Sequence, residues 1–158
     1  MKHLNWTIEG LEEVIYITKA DKINHYKNTM GLTYNICFKR KLEQKQELTG
    51  LIKAHDNSLF LISKLYDSIF GSVNGDFDGE LIDLEFAGAS YVSFDVIKKH
   101  AVSILLRKSV LQMVHKITNE IYPNEDYYLI FNGDYIFEKR ENGILKRNSN
   151  SDFYEGLD

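Results

Sequence analysis

Residues 127–140 read YYLIFNGDYIFEKR, and the Asn132-Gly133 pair at the centre constrains the chain more than any other feature. A type I′ turn needs positive φ at both central residues, which Asn tolerates and Gly adopts freely, so the flanking apolar runs are predicted to fold back as an antiparallel hairpin. ENG at 141–143 then returns the chain into ILKR, which extends the hairpin to a carboxyl-terminal β-meander.

The upstream segments are predicted to add strands and one long helix. Val14 to Thr18 is β-branched and aromatic and reads as a short strand, followed by a helix over KADKINHYKN that Gly31 stops. Leu32, Tyr34, Ile36 and Phe38 then alternate with Thr33, Asn35, Cys37 and Lys39, the pattern of a half-buried strand. KLEQKQE reads as a charged turn, and LTGLIKA with SLFLI as a hairpin bent at Asp56-Asn57. Ile62, Leu65, Tyr66, Ile69, Phe70 and Val73 share one helical face, which leaves strand and helix both open beyond Ser63. Glu80 to Ala87 alternates Ile82, Leu84 and Phe86 against Asp83 and Glu85 and reads as a strand, with another around Tyr91 to Phe94. From Asp95 to Tyr122 the apolar positions cover a wide helical face, with Asp95 placed to cap the first turn and Pro123 just past the end.

These elements define an α+β fold: a mixed or mostly antiparallel sheet, one long helix from Asp95 to Tyr122 and the β-meander. The order also divides into two βαβββ halves. Residues 1–148 are expected to form one globular domain, and 149–158, NSNSDFYEGLD with its flanking Asn148, a flexible acidic tail.

Charge and cysteine content narrow the function classes. The formal net charge is -4 and the basic residues are scattered, which speaks against nucleic acid as a partner and leaves room for a basic one. A lone cysteine, Cys37, cannot form an internal disulfide, so a reducing, cytoplasmic setting is expected. No run of 18 apolar residues occurs, so no membrane association is expected.

NGDFDGELIDLE, Asn74 to Glu85, places Asn74, Asp76 and Asp78 at positions 1, 3 and 5 of a twelve-residue calcium loop, with Gly79 at 6, Glu80 at 7 and Glu85 at 12. It resembles an EF-hand loop, and the resemblance implies calcium as a cofactor held by Asn74, Asp76, Asp78, Glu80 and Glu85. It departs from the pattern at neutral Asn74, at Ile82 in position 9, and in the absence of a second loop. The competing reading, a polar turn before the strand from Glu80, is preferred, and no cofactor is otherwise expected.

Tyr26, Lys27, Asn28, Gly31 and Leu32 form a helix-end pattern feeding a strand. It resembles the opening module of the vicinal oxygen chelate family, the glyoxalases and bleomycin-resistance proteins, which are built from paired βαβββ modules. The resemblance implies a small-molecule binding protein or enzyme with a cleft between modules. The chain departs from that family in having no histidine on the strand from Val14 to Thr18, and Glu141, Asn142 and Gly143 where the family's turn carries proline.

No HExxH spacing links His3, His25, His55, His100 and His115, and no phosphate loop, serine elbow or zinc cysteine pair is present. A non-catalytic binding protein is therefore the leading expectation, most plausibly an acidic inhibitor or immunity-type protein that occludes a basic toxin or enzyme. Its expected partner surface is the acidic, tyrosine-rich carboxyl-terminal meander: Tyr128, Asp134, Tyr135, Glu138 and Glu141.

Overall fold

A computed structural model describes residues 3–4, 11–15, 17–18, 29–97 and 103–157. Asn132 and Gly133 take φ of 50° and 79°, as their turn chemistry requires. They join strand β9 (Tyr127–Phe131) to β10 (Tyr135–Glu141), and Asn142 and Gly143 repeat the turn before β11 (Ile144–Arg147). The other strands are β1 (His3–Leu4), β2 (Leu11–Ile15), β3 (Ile17–Thr18), β4 (Thr29–Phe38), β5 (Phe60–Ser68), β6 (Gly71–Phe77), β7 (Glu80–Phe86) and β8 (Ala89–Ile97).

Eight strands pair in the order β2-β5-β8-β4-β9-β10-β6-β7, and β11 pairs with β10. Among the described residues all pairings are antiparallel except β10 with β6, which meet in parallel at Tyr135 and Asp76. A separate short pair joins β1 to β3. The sequence order strand, helix, three strands does occur twice, from β4 and again from β8. The strands of the two runs interleave, however, because β4 lies between β8 and β9. This is one continuous sheet and not a pair of βαβββ modules.

One sheet face carries Tyr34, Ile36, Phe38, Phe94, Tyr127 and Leu129 and is covered by two helices. These are α1 (Gln46–Ala54) and α2 (Ile104–His115), which place Leu48, Leu106, Val110 and Val114 in the same core. The opposite face carries Cys37, Tyr128 and Ile130. The β6–β7 hairpin covers it with Val73, Phe77, Ile82, Leu84 and Phe86. Gly71 marks that closure, since a Cβ there would lie 2.0 Å from the Phe86 ring.

The long helix expected from Asp95 is shorter. β8 runs to Ile97, and Asp95 sits opposite Thr33 and accepts its hydroxyl at 2.7 Å instead of capping a helix. The cap belongs to Ser103, whose hydroxyl accepts from the Leu106 amide. Past His115 the backbone continues as a π-helix, Lys116–Ile121, and stops at Tyr122 before Pro123. The hairpin expected at Asp56-Asn57 is also replaced. LTGLIKA lies in α1, because Leu48, Leu51 and Ile52 share the face that packs on the core. The segment beyond Ser63 resolves as strand through Ser68. Gly31 lies inside β4, while the helix expected over KADKINHYKN lies outside the described residues.

The closing segment, expected as a loose tail from residue 149, docks against the sheet. Phe153 is 2 % exposed and stacks on Phe137 at 4.3 Å between ring centres. Arg107 reaches from α2 to donate to the carbonyls of Asp152, Phe153 and Glu155. An aromatic anchor and three carbonyl contacts outweigh the polar composition that suggested fraying.

Candidate functional site

β10 departs from simple alternation. Its register against β9 shifts between Ile136 and Glu138, so Phe137 is an extra residue on the bulged strand. Ile136 packs in the core beneath the β6–β7 hairpin, while Phe137 packs on the helix-covered side. After the bulge Glu138 turns to that same side. Arg140 follows it, with its guanidinium 4.9 Å from the Tyr127 ring. Lys139 and Glu141 turn the other way, where Lys139 lies over the Phe77 ring.

The bulge thus delivers a carboxylate into the interior. Glu138 has no exposed surface, and three groups from three other elements are drawn to it. Its Oε2 meets His115 Nε2 at 2.9 Å and accepts the Tyr127 hydroxyl in a short hydrogen bond. Its Oε1 accepts the Tyr154 hydroxyl at 2.7 Å. Burial pushes the Glu138 carboxyl up, but the hydrogen bond and charge of His115 and the two tyrosine hydroxyls together hold it below the usual carboxylate range. Burial, then the Glu138 charge, push Tyr127 and Tyr154 well above the ordinary phenol value, so both remain donors.

Arg140 fixes the neighbouring helix end. Its guanidinium donates to the carbonyls of Thr118, Tyr122 and Glu125 and to Asn119 Oδ1. Those residues follow His115 through the π-helical turn, so Glu138 and Arg140 together fix where that turn lies. On the outer side of His115 a cleft of about 550 Å³ opens, lined by Lys108, Leu111, Gln112, Lys116, Asn119, Glu120 and Leu157 as well as His115.

The expected partner surface is not a single surface. Glu138 is buried toward the helices. Tyr128 is buried on the opposite face, where its hydroxyl donates to Glu141 at 2.7 Å. Glu141 is half-buried and also paired with Lys139 at 2.6 Å. The Lys139 and Tyr128 hydrogen bonds hold its carboxyl below the usual range. Tyr135 is half-buried beside Phe137, and of the five only Asp134, in the turn, is exposed. Alternation could not have shown this, because one inserted residue reverses the facing of everything after it.

Asn74 to Glu85 forms the β6–β7 hairpin, turned at Asp78 and Gly79 with φ of 53° and 82°. Asn74 pairs with Asp83, and Glu85 lies opposite Ser72. Asp78 and Glu85 are therefore about 20 Å apart along an extended strand, not wrapped about a centre. Asp78 Oδ1 accepts from the Ser149 amide and hydroxyl, which hold its carboxyl below the usual range. Among the described residues no group of three or more His, Cys, Asp or Glu side chains is placed to hold a metal ion.

The same hairpin is acidic in its own sequence. Gly71 to Phe86 contains Asp76, Asp78, Glu80, Asp83 and Glu85 and no lysine or arginine. Ser72, Asn74, Asp76, Leu81, Asp83 and Glu85 share its outer face by register, and Leu81 is 71 % exposed. β7 ends the sheet path, so among the described residues one edge of its backbone has no partner strand.

Cys37 is fully buried beneath this hairpin, and burial pushes its thiol up to about 12, which removes it as a nucleophile. No described helix is long and apolar enough to cross a membrane. No protein-family model matches the chain, and no curated protein or solved structure matches it.

Proposed function

We propose that the protein acts by binding another protein, and that its recognition surface is the β6–β7 hairpin, which takes an extended basic segment of the partner along the β7 edge. The observation that carries this reading is a strand edge with no partner among the described residues, beside five acidic residues with no basic residue in the same hairpin. Edge strands are templates for strand addition, in which main-chain hydrogen bonds supply affinity and alternate side chains supply specificity. Outward acids on β7 oppose pairing with another acidic edge and favour a partner strand bearing lysine or arginine. An inhibitor or immunity-type role, in which an acidic surface occludes a basic one, is the form of binding this chemistry suits.

The test is titration with a labelled synthetic peptide of alternating lysine and valine. Binding should be saturable and weaken as salt rises. The combined variant Glu80→Gln/Asp83→Asn/Glu85→Gln should lose tenfold or more in affinity. Equal affinity for variant and parent would remove the proposal.

A further inference from the structure

The cleft beside His115 has a chemistry of its own, independent of the acidic hairpin on the far side of the sheet. One ring nitrogen of His115, Nε2, is committed to the buried Glu138 carboxylate. The other, Nδ1, has no hydrogen-bond partner among the described residues, and His115 lies in the cleft wall. Lys108 and Lys116 also line the cleft, and neither has an ion-pair partner among the described residues. Against these two lysines stands one lining acid among the described residues, Glu120. Leu111 and Leu157 supply apolar wall, and Gln112 and Asn119 supply amides.

A fully buried carboxylate hydrogen-bonded to an imidazole fixes the ring's orientation. Here the carboxylate is itself held by two tyrosine hydroxyls, so it does not swing away. The ring stays fixed, with Nδ1 left over for a ligand. Lys108 and Lys116 are eight residues apart on continuous helical backbone, about 12 Å along the axis. The two lysines therefore cannot share one compact headgroup, and the leucines lie in the wall that a ligand body would cover. The volume falls within the range of small-ligand sites, roughly 300–1,000 Å³.

We propose that this cleft binds a small organic anion with an apolar body, its anionic head held by Lys116 beside His115 and its body covering Leu111 and Leu157. Lys108 contributes to attraction at the far end. Glu138 acts as a positioning residue through His115.

Octanoate and acetate are suitable probes, titrated into the full-length protein and followed by amide and imidazole NMR shifts. Octanoate should give saturable shifts at His115, Gln112 and Asn119 and bind at least tenfold more tightly than acetate. Lys116→Gln alters an exposed side chain and should weaken octanoate severalfold without changing the fold. His115→Gln, which removes the imidazole from the cleft wall, should weaken it as well. Equal binding of the two carboxylates, shifts that do not saturate, or octanoate affinity unchanged by Lys116→Gln would each overturn the proposal. A hairpin variant that loses basic-peptide binding should retain octanoate, which separates this site from the recognition surface.

Discussion

His115 on α2 and Glu138 on β10 meet at 2.9 Å although 23 residues separate them, and the carboxylate in that pair is wholly buried. A buried charge is tolerated only when its oxygens are satisfied, and Glu138 meets that condition through His115, Tyr127 and Tyr154. The pair ties α2, β9, β10 and the closing segment to one point.

Glu138→Gln removes the charge while keeping the size, so three donors lose their anionic acceptor. The expected loss is about 2–4 kcal/mol in urea unfolding, and a change below about 0.5 kcal/mol would show that the cluster contributes little. The pH dependence has a definite sign. Because the folded carboxyl titrates below its ordinary value of 4.5, its contribution is complete above that pH and is lost as pH falls toward the depressed folded value. The slope of stability between about pH 5 and pH 3 should therefore be shallower in the variant.

Asn148 closes a seam in the sheet. The outer edge of β10 is shared between β6 at one end and β11 at the other, and Asn148 fills the junction. Its amide nitrogen donates to the Ile136 carbonyl at 2.9 Å, and its side-chain oxygen accepts from the Asp78 and Asn150 amides. Asn148→Ala would leave a buried carbonyl without its donor and should cost about 1–3 kcal/mol. Hydrogen exchange should show the opening concentrated at the Asp78–Gly79 turn.

Phe153 gives the closing segment its anchor. Phe153→Ala empties a site between Phe137, Tyr34 and Tyr154 and should cost about 3–5 kcal/mol. Equal thermal stability of parent and a chain ending at Asn150 would mean that the segment does not dock in solution.

Cys37 should be silent toward Ellman's reagent in the folded protein and react fully in denaturant, since it is buried and its thiol titrates near 12. Rapid modification under native conditions would show that the β6–β7 hairpin opens readily from the face it covers.

The legible parts of the sequence were those governed by local chemistry. Asn132-Gly133 announced its turn because positive φ is a property of two residues, and β4 and β7 showed their alternation because one face of each packs on the core while the other is more exposed. β8 was read as strand only around Tyr91 to Phe94, and its end from Asp95 to Ile97 as helix, because Val92 to Val96 is buried on both faces, which erases the period of two. The partner that explains Asp95 is Thr33, 62 residues away. α1 was hidden by Thr49 and Gly50, weak helix formers whose cost is offset by packing of Leu48, Leu51 and Ile52. Glu138 was read as surface because a bulge leaves no mark in composition, and no spacing rule links it to His115.

The recognition surface itself is tested most directly by amide hydrogen exchange with and without the lysine-valine peptide at low salt. Strand addition at the open edge should slow exchange at Glu80 to Phe86 and leave β9 and α2 unchanged. Binding that protects another region, or leaves β7 exchanging at its free rate, would contradict the assignment of this hairpin as the site where the protein meets its partner.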